Sequence, residues 1–344
     1  MDIGRFSQSV KQCASLVALA LVLTSVASAQ RPGPRGNPGN RPANGGFANG
    51  QFDSELMRKV MEAPKKLRYS GTRAVEIRAN GERIRHIETI IHDGMMTRTE
   101  FSGNSALDGQ VIVENGRRRM KYLPRENEIW TLPGRPDEAL QSMRRFMNEV
   151  RRNNFKVERG SGGSIAGHDT LRLGFKDNHG NLVQRIWIEP RTGMVLKREL
   201  FDLVGTLIGS FEFSSINFSP KFSPADFQIN RRGAKQVTPI QRLEEIEKRS
   251  GIRTMTLPPS SGFELESVQL MKFNQKDIVM LQFIGETGRV SIFQFKGEVD
   301  IARMRKMAGG RVTTHMFDRG DVHICLLGSV PEQELRRLAQ LLVD

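Results

Sequence analysis

The chain has 344 residues, with 52 Lys and Arg against 38 Asp and Glu, a formal net charge of +14, 38% hydrophobic and 26% charged residues. That balance belongs to a folded soluble protein and excludes both a disordered chain and a multi-span membrane protein. Two cysteines exclude a disulfide-stapled scaffold and a cysteine-based zinc module, leaving open only metal sites built from His and carboxylates.

The first 29 residues read as a cleaved export signal. Arg5 and Lys11 supply a positive start, residues 13–26 form an apolar run, and Ala27-Ser28-Ala29 is a small-x-small cleavage site. The run is shorter than the ~20 residues a spanning helix needs. The expected location is the periplasm, and the mature chain carries one thiol, Cys325. The charge surplus then loses its first reading, nucleic acid, because an exported protein does not meet the genome; aromatic residues for base stacking make up only 7%. Anionic lipid, lipopolysaccharide, cell-wall polymers or an acidic protein segment become its partners, with a peripheral, salt-sensitive contact to an anionic membrane expected.

Residues 30–51 are nearly all Pro, Gly, Asn and Arg, which predicts a disordered tether. From Ser54, Leu56, Met57, Val60 and Met61 recur at helical spacing until Pro64. Strand-like runs follow, separated by Asn80-Gly81, Asp93-Gly94 and Asn115-Gly116. Three successive Asx-Gly turns predict an antiparallel meander. Residues 136–152 predict a helix with a Met/Phe stripe, acids in its first turn and Arg151-Arg152 at its end. Gly160-Ser161-Gly162-Gly163-Ser164 reads as a flexible loop, with further strands to Phe218. The domain plan is a first domain over 52–230, a linker over 231–252 and a smaller domain over 253–344. The last has five strand patterns, a helix near 299–307 and a final helix carrying Leu335, Leu338, Ala339 and Leu342.

Chemistry-bearing motifs are sparse. There is no HExxH, P-loop, nucleophile elbow or dinucleotide fingerprint, so no catalytic residue, cofactor or metal is assigned and an enzyme is not expected. His86 and His92 share one strand face but stand about 20 Å apart at ~3.3 Å per residue. His315 and His323 lie on consecutive strands where a hairpin would bring them together. The candidate anion contacts are Arg117, Arg118 and Arg119, with Arg144 and Arg145. The candidates for an apolar ligand pocket, or equally for ordinary core, are Trp130, Ile186, Trp187, Ile188, Phe211 and Phe213. The run 185–189 carries apolar residues on both faces, as a sheet covered on one side and lining a cavity or core on the other would.

Several motifs carry a family resemblance. The helix leading into Leu67-Arg68-Tyr69-Ser70-Gly71-Thr72, then Tyr122-Leu123-Pro124, then Arg185-Ile186-Trp187-Ile188-Glu189-Pro190-Arg191-Thr192-Gly193-Met194-Val195-Leu196-Lys197, resembles the N-terminal domain of the MucB/RseB family of periplasmic sigma-factor regulators. Leu257-Pro258-Pro259, Gly262-Phe263-Glu264-Leu265 and Gly328-Ser329-Val330-Pro331 resemble its smaller domain. The 187–197 hairpin and the Phe222-Ser223-Pro224-Ala225-Asp226-Phe227 ending are shared with the broader LolA-like lipoprotein carriers. The resemblance implies an α+β fold: a LolA-like curved antiparallel half-barrel with helices packed on it and an apolar acyl-chain pocket, followed by a smaller α+β domain. It implies a non-enzymatic regulator that binds the periplasmic domain of a membrane anti-sigma factor and senses lipoprotein or lipopolysaccharide ligands. The alternative is a periplasmic lipoprotein or lipid carrier of LolA type.

Overall fold

A computed structural model describes residues 54–79, 82–103, 105, 107–116, 118–134, 155–202, 204–273, 275–285, 287–297, 313–328 and 330–343. The export signal, the tether, the Asn80-Gly81 turn, Arg117, the helix over 136–152 with Arg144 and Arg145, and the helix near 299–307 lie outside the described residues. The chain divides into two compact units. Among the described residues, one holds those from 54 to 119 and from 133 to 230; the other holds those from 120 to 132 and from 231 to 343.

The N-terminal unit is an open, curved antiparallel sheet with one described α-helix. Helix α1 (Ser54–Lys66) is followed by β1 (Arg68–Ala79), β2 (Glu82–Asp93), β3 (Met96–Ser102) and β4 (Val111–Glu114). Then come β7 (Lys156–Ile165), β8 (His168–Lys176), β9 (Leu182–Ile188), β10 (Val195–Phe201) and β11 (Leu207–Asn217). The order across this unit is β4-β3-β2-β1-β11-β10-β9-β8-β7, so β1 and β11, far apart in sequence, close two meanders side by side. Gly94 at φ +61° makes the β2–β3 turn that Asp93-Gly94 predicts, and Gly116 at φ +75° ends β4. Bulges at Thr72/Arg73, Val195/Lys197 and Ser161/Gly163 break the ladders locally, the usual device for bending a sheet.

The segment 160–164 is not the expected loop. It lies inside edge strand β7, paired with β8 from Lys156↔Lys176 to Ile165↔His168. Its glycines serve close approach rather than flexibility: a Cβ on Gly162 would stand 2.7 Å from Trp187 Cδ1.

The C-terminal unit contains β5 (Arg118–Leu123) from Met120 onward, β6 (Glu128–Pro133) up to Leu132, β12 (Lys235–Val237) and α2 (Pro239–Ser250). It also contains β13 (Phe263–Phe273), β14 (Lys276–Gly285), β15 (Gly288–Lys296), β16 (Thr313–Arg319), β17 (Val322–Gly328) and α3 (Glu332–Leu341). The last five strands form an antiparallel sheet ordered β13-β14-β15-β17-β16, and β12 runs parallel to β6. Residues 231–252, expected as a linker, are structural here. Thr238 caps α2 through Gln241 N, and Ile246 is buried in the same cluster as Val279, Leu281, Ile292, Ile324 and Leu335. A charged helix with one apolar stripe reads as a linker until its partner surface is known. The His315/His323 pairing is also corrected: the register sets His315 opposite Leu326 and His323 opposite Asp318, whose Oδ1 is 2.6 Å from His323 Nδ1.

Candidate ligand-binding face of the N-terminal sheet

The site starts from how α1 is held. Arg58 and Lys66 pair with Glu62 at 3.1 and 2.8 Å along its outer surface. Its other side places Leu56, Met57 and Val60 on Phe155, Leu173, Phe175, Ile186 and Ile188. The β9–β10 turn fastens the helix. Gly193, at φ +78°, lets the turn approach so closely that a Cβ there would lie 2.5 Å from the Lys59 carbonyl carbon. Glu189 builds the turn by accepting from Thr192 N at 2.8 Å, Thr192 Oγ1 at 2.6 Å and Arg191 N at 3.1 Å. Burial would raise the Glu189 carboxyl, but these hydrogen bonds outweigh it and hold the group below its ordinary value.

Ile186 and Ile188 thus face α1, while Trp187 points to the opposite side of β9. Trp187 clusters with Tyr69, Ile90, Ile165, Met194, Leu196 and Phe213, and Phe211 packs against that group. Lys197 Nζ sits 4.8 Å from the Trp187 ring centroid, and the Arg185 guanidinium 5.8 Å. Trp130 is elsewhere. It is 2% exposed within the apolar cluster of the C-terminal unit, its indole N–H donates to Glu128 Oε2 at 2.9 Å, and Glu128 pairs with Arg242 on α2 at 3.3 Å. Of the candidate anion contacts described, Arg118 is exposed, whereas Arg119 is buried with Nε 3.7 Å from Glu114 Oε1. Strand alternation separates these two neighbours, so Arg118 and Arg119 do not share one basic face.

The sheet face that carries Arg73, Glu88, Phe211 and Phe213 is not simply apolar. On β2 the buried positions are His86, Glu88, Ile90 and His92, while the intervening Ile87 is exposed. Glu88 joins two partners: Arg73 Nη2 lies 2.6 Å from its Oε2, and His86 Nε2 lies 2.9 Å from its Oε1. Burial pushes the Glu88 carboxyl up; the Arg73 charge and the His86 hydrogen bond reverse this and bring it down to about 2. Arg73 stacks over Phe211 at 4.8 Å and Phe213 at 5.8 Å. His92 hydrogen-bonds Thr97 at 2.9 Å and stacks on Tyr69 at 5.1 Å. Farther along, Arg198 Nη2 donates to Gln184 Oε1 at 2.8 Å, and burial lowers the Arg198 guanidinium to about 10. Sequence reasoning missed Arg73, Glu88, Arg198 and Gln184 because charged residues inside a strand look like its solvent side. The readable signal was the match of Arg73 with Glu88 across a hairpin whose outer residues also include charges.

A second feature is a cleft of ≈ 410 Å³ bounded by Thr89, Ile91, Arg98, Glu100, Ala225, Asp226, Gln228 and Asn230. The Phe222–Phe227 motif forms its far wall. Asp226 Oδ2 accepts from Ser223 N at 2.7 Å and from Ser223 Oγ at 3.0 Å, Phe222 packs edge-on to Phe227, and Arg98 donates to the Gln228 carbonyl while pairing with Glu100. This cleft is polar, with both charge signs in its wall. Among the described residues, no group of three or more His, Cys, Asp or Glu is placed to hold a metal ion.

The profile of the MucB/RseB N-terminal domain matches residues 53–231. The chain belongs to the MucB/RseB family. Proteins of this family are periplasmic regulators rather than enzymes. Similar solved structures include MucB, at 16% identity over 84% of this chain and 96% of that one, with a TM-score of 0.43. They also include the MucA/MucB complex of Pseudomonas aeruginosa, at 16% identity over 84% and 98% with a TM-score of 0.42. A LolA superfamily protein from Nitrosomonas europaea matches at 11% identity over 51% and 96%, with a TM-score of 0.26. No curated protein sequence matches the chain at a significant level.

Proposed function

We propose that this protein is an exported periplasmic regulator. In this reading it binds the periplasmic segment of a membrane anti-sigma factor and takes an amphiphilic envelope ligand, of lipoprotein or lipopolysaccharide type, on its N-terminal sheet. The observation that carries the proposal is the family match over the whole N-terminal sheet. MucB, a member of the same family, has been crystallised in complex with MucA(peri), which supports a protein segment as the partner. The aromatic and cationic inner groups, Phe211, Phe213, Arg73 and Arg198, suit a ligand with both an acyl chain and a charged end.

The test is direct titration of the purified mature chain with the periplasmic segments of anti-sigma factors from its own genome. One saturable complex with a single segment is expected. If none of those encoded beside an extracytoplasmic-function sigma factor binds, the regulator reading is wrong. Native mass spectrometry of the exported protein is expected to show a bound acyl species.

A further inference from the structure

We infer that Arg198 and Gln184 form an anion-binding anchor on the N-terminal sheet, built for the carboxylate or phosphate oxygens of an acyl amphiphile. The anchor rests on the reading that this sheet takes an amphiphile, and adds to it where the charged end sits.

The argument begins with register. Arg198 on β10 stands opposite Ile186 on β9 and Phe211 on β11. The positions two residues away on those strands, which share its face, are Gln184, Ile188, Gly209 and Phe213. None is acidic. The acids of this region lie one residue out of phase, on the other side of the sheet, and are already paired: Glu199 with Arg185 at 3.1 Å and Glu212 with Lys197 at 3.0 Å. Among the described residues, Arg198 therefore has no counter-ion, and its one hydrogen-bond partner is a neutral amide oxygen.

Two donors are left over. Arg198 Nε and Gln184 Nε2 are both sealed from solvent, and neither has a hydrogen-bond partner. Gln184 itself is 0% exposed. Because Gln184 Oε1 is committed to Arg198, turning the amide over would not satisfy the pair. Arg198 as a whole is partly exposed, but a guanidinium with its Nε sealed and no counter-charge among the described residues, beside a buried amide N–H without an acceptor, is costly, and native structures rarely keep both in one place without a reason. What satisfies both at once is a ligand with at least two acceptor oxygens and negative charge, which the planar fork of arginine is shaped to receive. Phe211 and Ile186 flank the donors and provide the apolar surface on which an attached chain would lie. Arg73, also stacked on Phe211, does not compete for the anion because Glu88 already neutralises it.

Isothermal titration of the full mature chain with four probes tests this: laurate, lauroyl lysophosphatidate, neutral monolaurin and inorganic phosphate alone. We expect at least one of the charged amphiphiles to bind tenfold or more tightly than monolaurin, and Arg198→Leu to erase that preference while monolaurin affinity stays within twofold. Arg198→Lys, which keeps the charge but lacks the Nε–H fork, is expected to retain part of the preference and serves if the leucine variant misfolds. Arg198-dependent binding of inorganic phosphate by itself would assign the anchor to a free anion; dependence seen only with the amphiphiles assigns it to a headgroup. Monolaurin binding with no Arg198-dependent preference overturns the anchor and leaves the amphiphile reading standing. If no probe binds, both fall.

Discussion

Two fully buried glutamines, one in each unit, have their polarity met differently. Gln294, on β15 of the C-terminal unit, exchanges both possible bonds with the backbone of Met255: it accepts from Met255 N at 2.7 Å and donates to Met255 O at 2.8 Å. Gln184, on β9 of the N-terminal unit, is equally buried but keeps one donor unused beside a guanidinium that has no counter-ion among the described residues. The C-terminal sheet is a closed core, in which Val279, Leu281, Phe283, Ile292, Ile324 and Leu326 surround a satisfied polar clip. The N-terminal sheet carries ionised and aromatic groups on a face whose hydrogen bonding is incomplete. The contrast lies in these two glutamines rather than in whole units, since Asp277 Oδ1 in the C-terminal unit is also buried without a hydrogen-bond partner among the described residues. Gln294 is satisfied within its fold, whereas Gln184 keeps polar capacity that stability alone does not require.

Four measurements sharpen or break this contrast. Trp130→Ala should cost about 3–5 kcal/mol in urea unfolding. Hydrogen exchange should rise first in 231–343, because the indole is part of that unit's core; exchange rising instead only in the N-terminal sheet would contradict its placement. Acidification should act on the other unit. Glu88 is lowered from 4.5 to about 2, so its contribution is full above pH 4.5 and is lost as pH falls towards 2, an effect of about 3 kcal/mol. Glu88→Gln should flatten that part of the pH profile, and an unchanged profile would show that the Arg73–Glu88–His86 group is not its source.

The glutamines themselves give the third comparison. Gln294→Leu should destabilise by about 2 kcal/mol, since the N–H and C=O of Met255 are left without partners. The double variant Gln184→Leu, Arg198→Leu should stay within about 1 kcal/mol of wild type or exceed it, because both ends of that interaction become apolar together. Equal losses at the two sites would remove the distinction between the two glutamines. The smallest effect is Thr238→Ala, which deletes the α2 cap and should lower the unfolding midpoint by an amount equivalent to about 1 kcal/mol. It should do so for the C-terminal unit, since α2 packs there through Ile246.

How much was legible beforehand varied with the range of the interaction. Asp93-Gly94 and Asn115-Gly116 announce turns because positive φ is a local requirement that glycine meets, and the structure has them at +61° and +75°. The helical spacing of Leu56, Met57 and Val60 likewise needs only its own segment. Gly160 to Ser164 misled because glycine is also what a crowded edge strand uses to pass a tryptophan, and Trp187 is 25 residues from Gly162 in sequence. The candidate site was half visible. Ile186, Trp187, Ile188, Phe211 and Phe213 were readable as apolar residues in strands, but Glu88 has a charged residue's identity and a buried residue's position, and Arg73 and Arg198 are charged residues on the same inner face, partly covered there.

By itself, therefore, the sequence determined the hairpin turns, the alternation of the strands, the export signal as an expectation and, through motifs such as Glu189-Pro190-Arg191-Thr192-Gly193, the family. These depend on bonds and spacings within a few residues. Only the tertiary structure decided that Trp130 and the 231–252 segment serve the C-terminal core, that Glu88 answers Arg73, and that no acid among the described residues answers Arg198. Those outcomes depend on which strands become neighbours, and the phase of a strand relative to its neighbours sets whether a charge meets its opposite, water or neither.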